Sequence, residues 1–211
     1  MKILSHRGYW EQRQEKNSLE AMKRSFAAGF GVETDVRDRN GQLVISHDPP
    51  GADAYTFSEF LELRQSFKPS ADELTLALNI KADGLQSMLK QELQRFNAGD
   101  YFFFDMSIPD TLGYAREELQ FYTRQSEYEP GPALYEQAKG VWLDMFQSDW
   151  PDEALIQGHW SQGKMVCVVS PELHGRDHHA YWALLKDMGF QESDLALLCT
   201  DFPEEARGFF E

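Results

Sequence analysis

The sequence predicts an α/β protein folded as a single compact (β/α)8 TIM-type barrel over residues 1–211. Three observations carry that prediction. Short apolar runs alternate with amphipathic stretches along the whole chain. The runs MVCVV (165–169) and LALLC (195–199) are apolar throughout, as expected for strands of a parallel sheet covered on both faces. No Gly/Ser linker, low-complexity tract or strong internal repeat interrupts the rhythm, and 211 residues suffice for one sizeable core. A doubly wound open sheet would show the same alternation. No GxGxxG or GxxxxGKS/T stretch exists, however, to support nucleotide binding on such a sheet.

Taken in order, the first run is KILSH (2–6), followed by NSLEAMKRSFAAG (17–29). In that stretch Leu19, Met22, Phe26 and Ala27 recur at helical spacing and Gly29 supplies a stop. GVETDVR and QLVISHD come next, separated by the tight-turn pair Asn40-Gly41, and TFSEFLELRQSF follows as a helix. LTLALNIK precedes the amphipathic LQSMLKQELQRF, and DYFFFDM precedes IPDTLGYAREEL. The second half repeats the pattern: QFYTRQS with ALYEQAKG, GVWLDMF with PDEALIQGHW, KMVCVVS with HAYWALLKDMG, and LALLCTDF last.

The formal net charge is −15, unevenly spread. Residues 1–50 hold eight Lys/Arg against seven Asp/Glu, and the remainder holds twelve against twenty-eight. An acidic body repels phosphate backbones and anionic membranes, so nucleic acid and stable membrane association are not expected. A small phosphorylated ligand in a locally basic or metal-loaded pocket remains compatible with it. Cys167 and Cys199 lie in apolar runs and read as buried thiols, which suits a reducing compartment. No signal peptide is visible and no apolar run nears the ~18–20 residues of a membrane span. A cytoplasmic enzyme is the expected class; oligomeric state is left open.

In a barrel the chemistry sits at the C-terminal ends of strands. The first strand ends in Ser5-His6-Arg7-Gly8. In the second, Glu33 and Asp35 are two apart and share a face. Two like charges inside an apolar strand are expensive unless offset, and a divalent cation is the simplest offset, since carboxylate oxygens suit Mg²⁺ or Ca²⁺. The alternative is a solvent-facing pair matched by Arg37 or Arg39. A second histidine, His47, ends VISHD, and LALNIK places Asn79 and Lys81 two apart on one strand face. Two histidines, two carboxylates, an amide and a lysine at successive strand ends are hard to attribute to ordinary loops.

The ordered set HRG, then Asn17-Ser18 eleven residues after His6, then ExD, then HD, then a strand ending in xIK, resembles the glycerophosphodiester phosphodiesterase family. The closing Thr200-Asp201-Phe202-Pro203-Glu204 is similar to that family's last-strand TDxPE. The dense part covers residues 4–48 and 76–83. The resemblance implies metal-assisted cleavage of a phosphodiester. His6 and His47 then match the acid/base pair, Arg7 the phosphate contact, Glu33 and Asp35 the metal ligands, and Lys81 the lysine near the phosphate. The third metal ligand falls on Asn79, where the family has a carboxylate. An amide oxygen still suits Mg²⁺ or Ca²⁺ but carries no charge, which leaves Asp105 or Asp144 as other acids to complete the shell.

A second departure is length. Only 49–73 lies between HD and the next strand, where the family inserts helical sequence, so a more open pocket is expected and glycerol as the polar group is in doubt. Weaker resemblances reach the sphingomyelinase D and phosphatidylinositol phospholipase C barrels. Further strand ends offer specificity residues. Arg124 and Glu127 could grip a polar head group, Trp142 could form an aromatic wall, and 170–174 offers more polar groups. His178-His179 opens a predicted helix and is expected to be exposed. Trp10 is expected to line the mouth or cap the barrel.

The reading is therefore a phosphodiesterase acting on a small or head-group phosphodiester, by attack of water or of a substrate hydroxyl. Two alternatives stand beside it. One is a barrel that binds a phosphorylated ligand with a weakened metal site; the other is a sugar-phosphate isomerase-type enzyme.

Overall fold

The computed structural model describes residues 1–67 and 74–211. Its strands are β1 (Lys2–His6), β2 (Gly31–Arg39), β3 (Gln42–Ile45), β4 (Leu76–Ile80), β5 (Tyr101–Phe104), β6 (Tyr122–Gln125), β7 (Gly140–Leu143), β8 (Met165–Val169) and β9 (Ala196–Thr200). The helices are α1 (Leu19–Ala27), α2 (Phe57–Gln65), α3 (Gln86–Arg95), α4 (Ile108–Arg116), α5 (Glu153–Ser161), α6 (His179–Asp187) and α7 (Pro203–Phe210). The sheet order is β5-β4-β2-β1-β9-β8-β7-β6, with β3 paired to β2 off that path. This order, with parallel strands joined through helices everywhere but between β6 and β7, is that of a (β/α)8 barrel, the predicted fold class. Packing divides the chain into two compact units, Met1–Leu4 with Tyr122–Glu211, and Ser5–Phe121.

Within 5–121, β2 pairs in parallel with β4, setting Glu33 opposite Ala77 and Asp35 opposite Asn79. The β2–β3 pair is an antiparallel hairpin in register Val36↔Ile45 through Arg39↔Gln42. Asn40 (φ 51°) and Gly41 (φ 78°) form its tip, the left-handed pair that an Asn-Gly tight turn requires. α1 starts at the Ser18 cap, whose side chain accepts from the Ala21 amide, and ends where Gly29 takes φ 79°. Phe26, Phe57, Phe60, Phe102, Phe104 and Tyr114 are buried here, with Phe26 and Phe57 about 6 Å from Phe60, ring centre to ring centre. Each such ring contributes about 1.5–3 kcal/mol relative to exposure. Of the short connection 49–73, residues 68–73 lie outside the described residues; TFSEFLELRQSF forms α2 as expected.

Within 122–211, β6 to β9 are consecutive parallel neighbours. Val141, Leu143, Val166, Val168, Ala196 and Leu198 pack with Trp182, Leu185, Phe190 and Phe210 as one core. Cys167 and Cys199 are fully buried thiols, as expected. One predicted element differs: ALYEQAKG is a set of turns rather than a helix. Pro130 and Pro132 precede it, and Leu134 sits at φ 56°, so the chain closes one turn through Gln137 and Ala138 amides to the Leu134 carbonyl and goes no further. Among the described residues, no helix is long and apolar enough to cross a membrane.

Candidate active site

The loop after β1 is folded tightly against α1. Arg7 (φ 57°) and Gly8 (φ 87°) are both left-handed. A Cβ on Gly8 would lie 2.8 Å from the Ala21 Cβ and 2.9 Å from the Ala21 backbone carbon, so only glycine lets the loop approach the helix this closely. The Tyr9 amide donates to the Ala21 carbonyl (3.0 Å) and to Ser25 Oγ (2.7 Å). The Asn17 amide returns to the Arg7 carbonyl (2.8 Å). Glycine behind the basic pair thus fixes the direction in which His6 and Arg7 leave the strand.

Glu33 and Asp35 are 2% and 0% exposed, which rules out a solvent-facing pair. Nor does Arg37 serve them; its Nε donates to the His47 carbonyl (2.9 Å). Instead three groups converge on Asp35. Arg7 Nε lies 2.9 Å from Oδ2, Asn17 Nδ2 donates to Oδ2 at 2.8 Å, and Lys81 Nζ is 3.4 Å from Oδ1. Glu33 Oε2 accepts from the Arg7 amide (3.2 Å) and lies 3.9 Å from His6 Nε2. Burial, followed by the neighbouring Asp35 charge, holds the Glu33 carboxyl well above the usual carboxylate range. Asp35 Oδ1 and Asn79 Oδ1 are buried oxygens with no hydrogen-bond partner among the described residues.

Asn79 donates its Nδ2 to Asp105 Oδ2 (3.1 Å), so its amide is oriented by one of the two acids considered for the shell. The other, Asp144, accepts instead from His174 Nε2 (2.7 Å) and the Met145 amide (2.9 Å) within the 122–211 unit. Two buried oxygens without an aligned hydrogen bond, one of them near Lys81, lie on laterally paired strand residues beside a buried glutamate and form an oxygen donor set that fits a hard divalent cation.

His47 follows β3, where the Ser46 amide donates to the Asp35 carbonyl (3.0 Å). Its side chain is 46% exposed, with Nδ1 2.9 Å from Asp48 Oδ1. Arg7, Lys16, Asn17, Ser46, His47 and Tyr55 line one cavity of about 580 Å³. His6 is largely buried; Lys16 Nζ is 3.5 Å from its Nδ1, and Trp10 Nε1 donates to its carbonyl (3.3 Å) with Lys16 over the indole. Trp10 is thus tied to the His6 backbone.

The structure thus brings together His6, Arg7, Glu33, Asp35, Asn79 and Lys81, and sets His47 on a cavity shared with Arg7. Sequence reasoning gave no role to two residues of this cluster. Asn17 bridges Asp35 to Thr34 Oγ1, which donates to Asn17 Oδ1 (2.8 Å), and Lys16 faces His6. The Asn17-Ser18 spacing after His6 was the available signal.

The proposed head-group residues are engaged locally in the other unit. Arg124 pairs with Glu129. The Glu127 carboxylate accepts amides of Phe146 (3.1 Å), Gln147 (2.9 Å) and Ser148 (3.1 Å), which makes it the organiser of a loop. Trp142 is 4% exposed, on β7, a core position rather than a wall. The Glu172 carboxylate, at the 170–174 strand end, takes the Thr200 hydroxyl (2.5 Å) and the Asp201 amide (3.1 Å). Contrary to expectation, His178 is buried, its ring 4.1 Å from that of Trp182; His179 is exposed.

No protein-family model and no curated protein matches the chain. Solved structures do. A glycerophosphodiester phosphodiesterase from Agrobacterium tumefaciens superposes with a TM-score of 0.70 at 15% identity, covering 100% of this chain and 98% of that one. A glycerophosphoryl diester phosphodiesterase from Parabacteroides distasonis gives 0.65 at 14% identity, covering 99% and 85%. A dihydropteroate synthase from Xanthomonas albilineans gives 0.52 at 11% identity, covering 99% and 89%. At these identities the likeness establishes the fold, and the function has to be argued from the site.

Proposed function

We propose that this chain, acting as a single barrel domain, is a divalent-metal-dependent phosphodiesterase that hydrolyses a small or head-group phosphodiester. The observation that carries the reading is the buried Glu33–Asp35 pair, with oxygens on Asp35 and Asn79 that accept no aligned hydrogen bond, facing His6, Arg7 and Lys81. The two phosphodiesterases among the similar structures support it, one of them matching over nearly the full length of both chains.

Glu33, Asp35 and Asn79 would hold Mg²⁺ or Ca²⁺, which supplies charge stabilisation at the phosphoryl oxygens. The chain's own residues do the rest. Arg7 and Lys81 present cationic nitrogens to the phosphate, and the Arg7 guanidinium can do so with two N–H groups. Nε of Arg7 is buried 2.9 Å from Asp35 Oδ2, which anchors the guanidinium beside the acids. Asn17 holds Asp35 by Oδ2, which leaves Oδ1 facing Lys81.

The two histidines differ in surroundings. Asp48 beside His47 Nδ1 favours the tautomer protonated there, which leaves Nε2 to take the proton of the nucleophile. His6 serves as the acid in its imidazolium form, which donates from Nε2 toward the leaving oxygen and returns to the neutral imidazole. Such paired proton transfer is worth about 10²–10⁴-fold in rate. The cavity, bordered by Arg7 and Lys16, favours a compact anionic head group; the acidic body disfavours nucleic acid.

The test is hydrolysis of bis(p-nitrophenyl) phosphate and of a panel of glycerophosphodiesters, with Mg²⁺, Ca²⁺ or EDTA. Turnover that EDTA removes and that His6→Ala and His47→Ala each reduce by at least about 10²-fold is expected. Turnover that survives both substitutions would refute the assignment. Metal and ligand binding without turnover of any diester would point to a phosphate-binding barrel, with the uncharged Asn79 as the reason.

A further inference from the structure

We propose that His178, His179 and Glu205 form a second, transition-metal site, distinct from the oxygen-ligand set at Glu33 and suited to Zn²⁺. Among the described residues these three offer ligand atoms all within 4.8 Å of one another. Each ring is turned to suit a shared cation. His178 Nε2 and His179 Nε2 both lie 3.2 Å from the same oxygen, Glu205 Oε1. Tetrahedral zinc with bonds of about 2.0–2.1 Å has ligand atoms about 3.3 Å apart, so each of these two spacings matches an edge of that tetrahedron.

The opposite nitrogens are equally informative. His179 Nδ1 is 3.1 Å from Asp177 Oδ2, and His178 Nδ1 faces Glu172 Oε2 at 3.7 Å. A metal-bound imidazole commonly donates its second N–H to a carboxylate, which fixes tautomer and ring orientation. His179 has that hydrogen bond, and His178 has a carboxylate facing the same nitrogen at longer range. Glu172 is itself held by the Thr200 hydroxyl and the Asp201 amide, and the His178 ring is packed on Trp182. One ligand is therefore rigid while His179 and Glu205 are open to solvent, where water can complete the shell.

The two rings stack at 4.3 Å and 21° with a carboxylate on each side. If both rings donated at both nitrogens, two imidazolium charges would lie face to face. With a metal, both rings are neutral, both Nδ1–H groups face carboxylates, and both Nε2 lone pairs are used. The three carboxylates, Glu172, Asp177 and Glu205, offset the charge of a dication and outweigh the positive helix ends at α6 and α7. Imidazole donors select Zn²⁺, Cu²⁺ or Ni²⁺ over Mg²⁺ or Ca²⁺, so this site and the oxygen site discriminate between metals. A cation here clips the start of α6 to the first turn of α7.

The experiment is calorimetric titration of untagged full-length protein with ZnCl₂ in excess Mg²⁺, repeated on His179→Ala, Glu205→Gln and Asp177→Asn. His179 and Glu205 are exposed, so their substitution leaves the core intact. The expected result is one equivalent of zinc bound by the parent, lost in the first two variants and weakened about 10–100-fold in Asp177→Asn. A zinc-dependent rise in unfolding temperature, absent from His179→Ala, accompanies it. Absence of zinc binding would overturn the proposal and leave a protonated ion-pair cluster in its place. Binding unchanged in His179→Ala and Glu205→Gln would overturn it equally, by placing the zinc elsewhere. Neither result bears on the phosphodiesterase reading, which depends on other residues.

Discussion

Gly8→Ala tests how the site is held. The substitution adds one methyl group at φ 87°, aimed at Ala21. A left-handed backbone costs a non-glycine residue about 1–2 kcal/mol. The methyl would also meet the Ala21 Cβ at 2.8 Å and its backbone carbon at 2.9 Å, and overpacking of this kind costs about 1–3 kcal/mol. Gly29→Ala isolates the first contribution, because Gly29 has φ 79° but a methyl group added there would meet nothing within 4 Å. Urea denaturation should therefore show Gly8→Ala less stable than Gly29→Ala by about 1–3 kcal/mol at unchanged m-value. The steric part also pushes the loop off α1 and moves Arg7 from Asp35, so diester turnover should fall in Gly8→Ala and hold in Gly29→Ala. Equal destabilisation of the two variants would refute the close-approach argument.

Other outcomes follow from the same geometry. Asn79→Asp sets a second carboxylate against Asp105, now 3.1 Å from the Asn79 amide; it should destabilise the metal-free protein by about 2–4 kcal/mol and tighten Mg²⁺ binding, read by unfolding temperature in EDTA and in Mg²⁺. Loss of stability in both conditions would remove Asn79 from the metal shell. Burial lowers the His159 pKa below its usual 6.5, so the unfolded chain binds more protons just below that pH; wild type should lose stability relative to His159→Gln as pH falls from ~7 to ~5, and a flat difference would contradict it. Thr56 caps α2 through a reciprocal capping box with Glu59, and Thr56→Ala should cost about 1 kcal/mol in denaturant unfolding.

Local signals in the sequence were followed faithfully by the chain. Gly29 ended its helix, Asn40-Gly41 turned its hairpin, and the two-residue spacing of Glu33 and Asp35 put both acids into the buried interior. What the sequence concealed depends on distant partners. Nothing within ALYEQAKG signals that Leu134 turns left-handed. His178 reads as the polar start of a helix; Trp182, one turn on, was a local signal that it could be covered, and Glu172 is the partner that only the fold brings up. Glu127 looked like a ligand group because its three amide donors lie about twenty residues further along the chain. Asp105 and Asp144 were equivalent in sequence and are separated only by which side chain each strand end faces.

The β2–β3 hairpin has a mechanical consequence. Both buried acids and the second histidine lie on one continuous ribbon, joined by four paired rungs and a two-residue tip. His47 is therefore carried on a lever whose fulcrum is the Asp35 carbonyl, clamped by the Ser46 amide. Side-chain direction alternates along such a ribbon, so lengthening or shortening one arm by a single residue would swing the imidazole to the opposite side while leaving the acids in place. The tip at Asn40-Gly41, set at the far end of the ribbon from the acids and the imidazole, is the place where length can vary without turning the histidine, because buried Leu43, Val44 and Ile45 and the Ser46 clamp hold the register between.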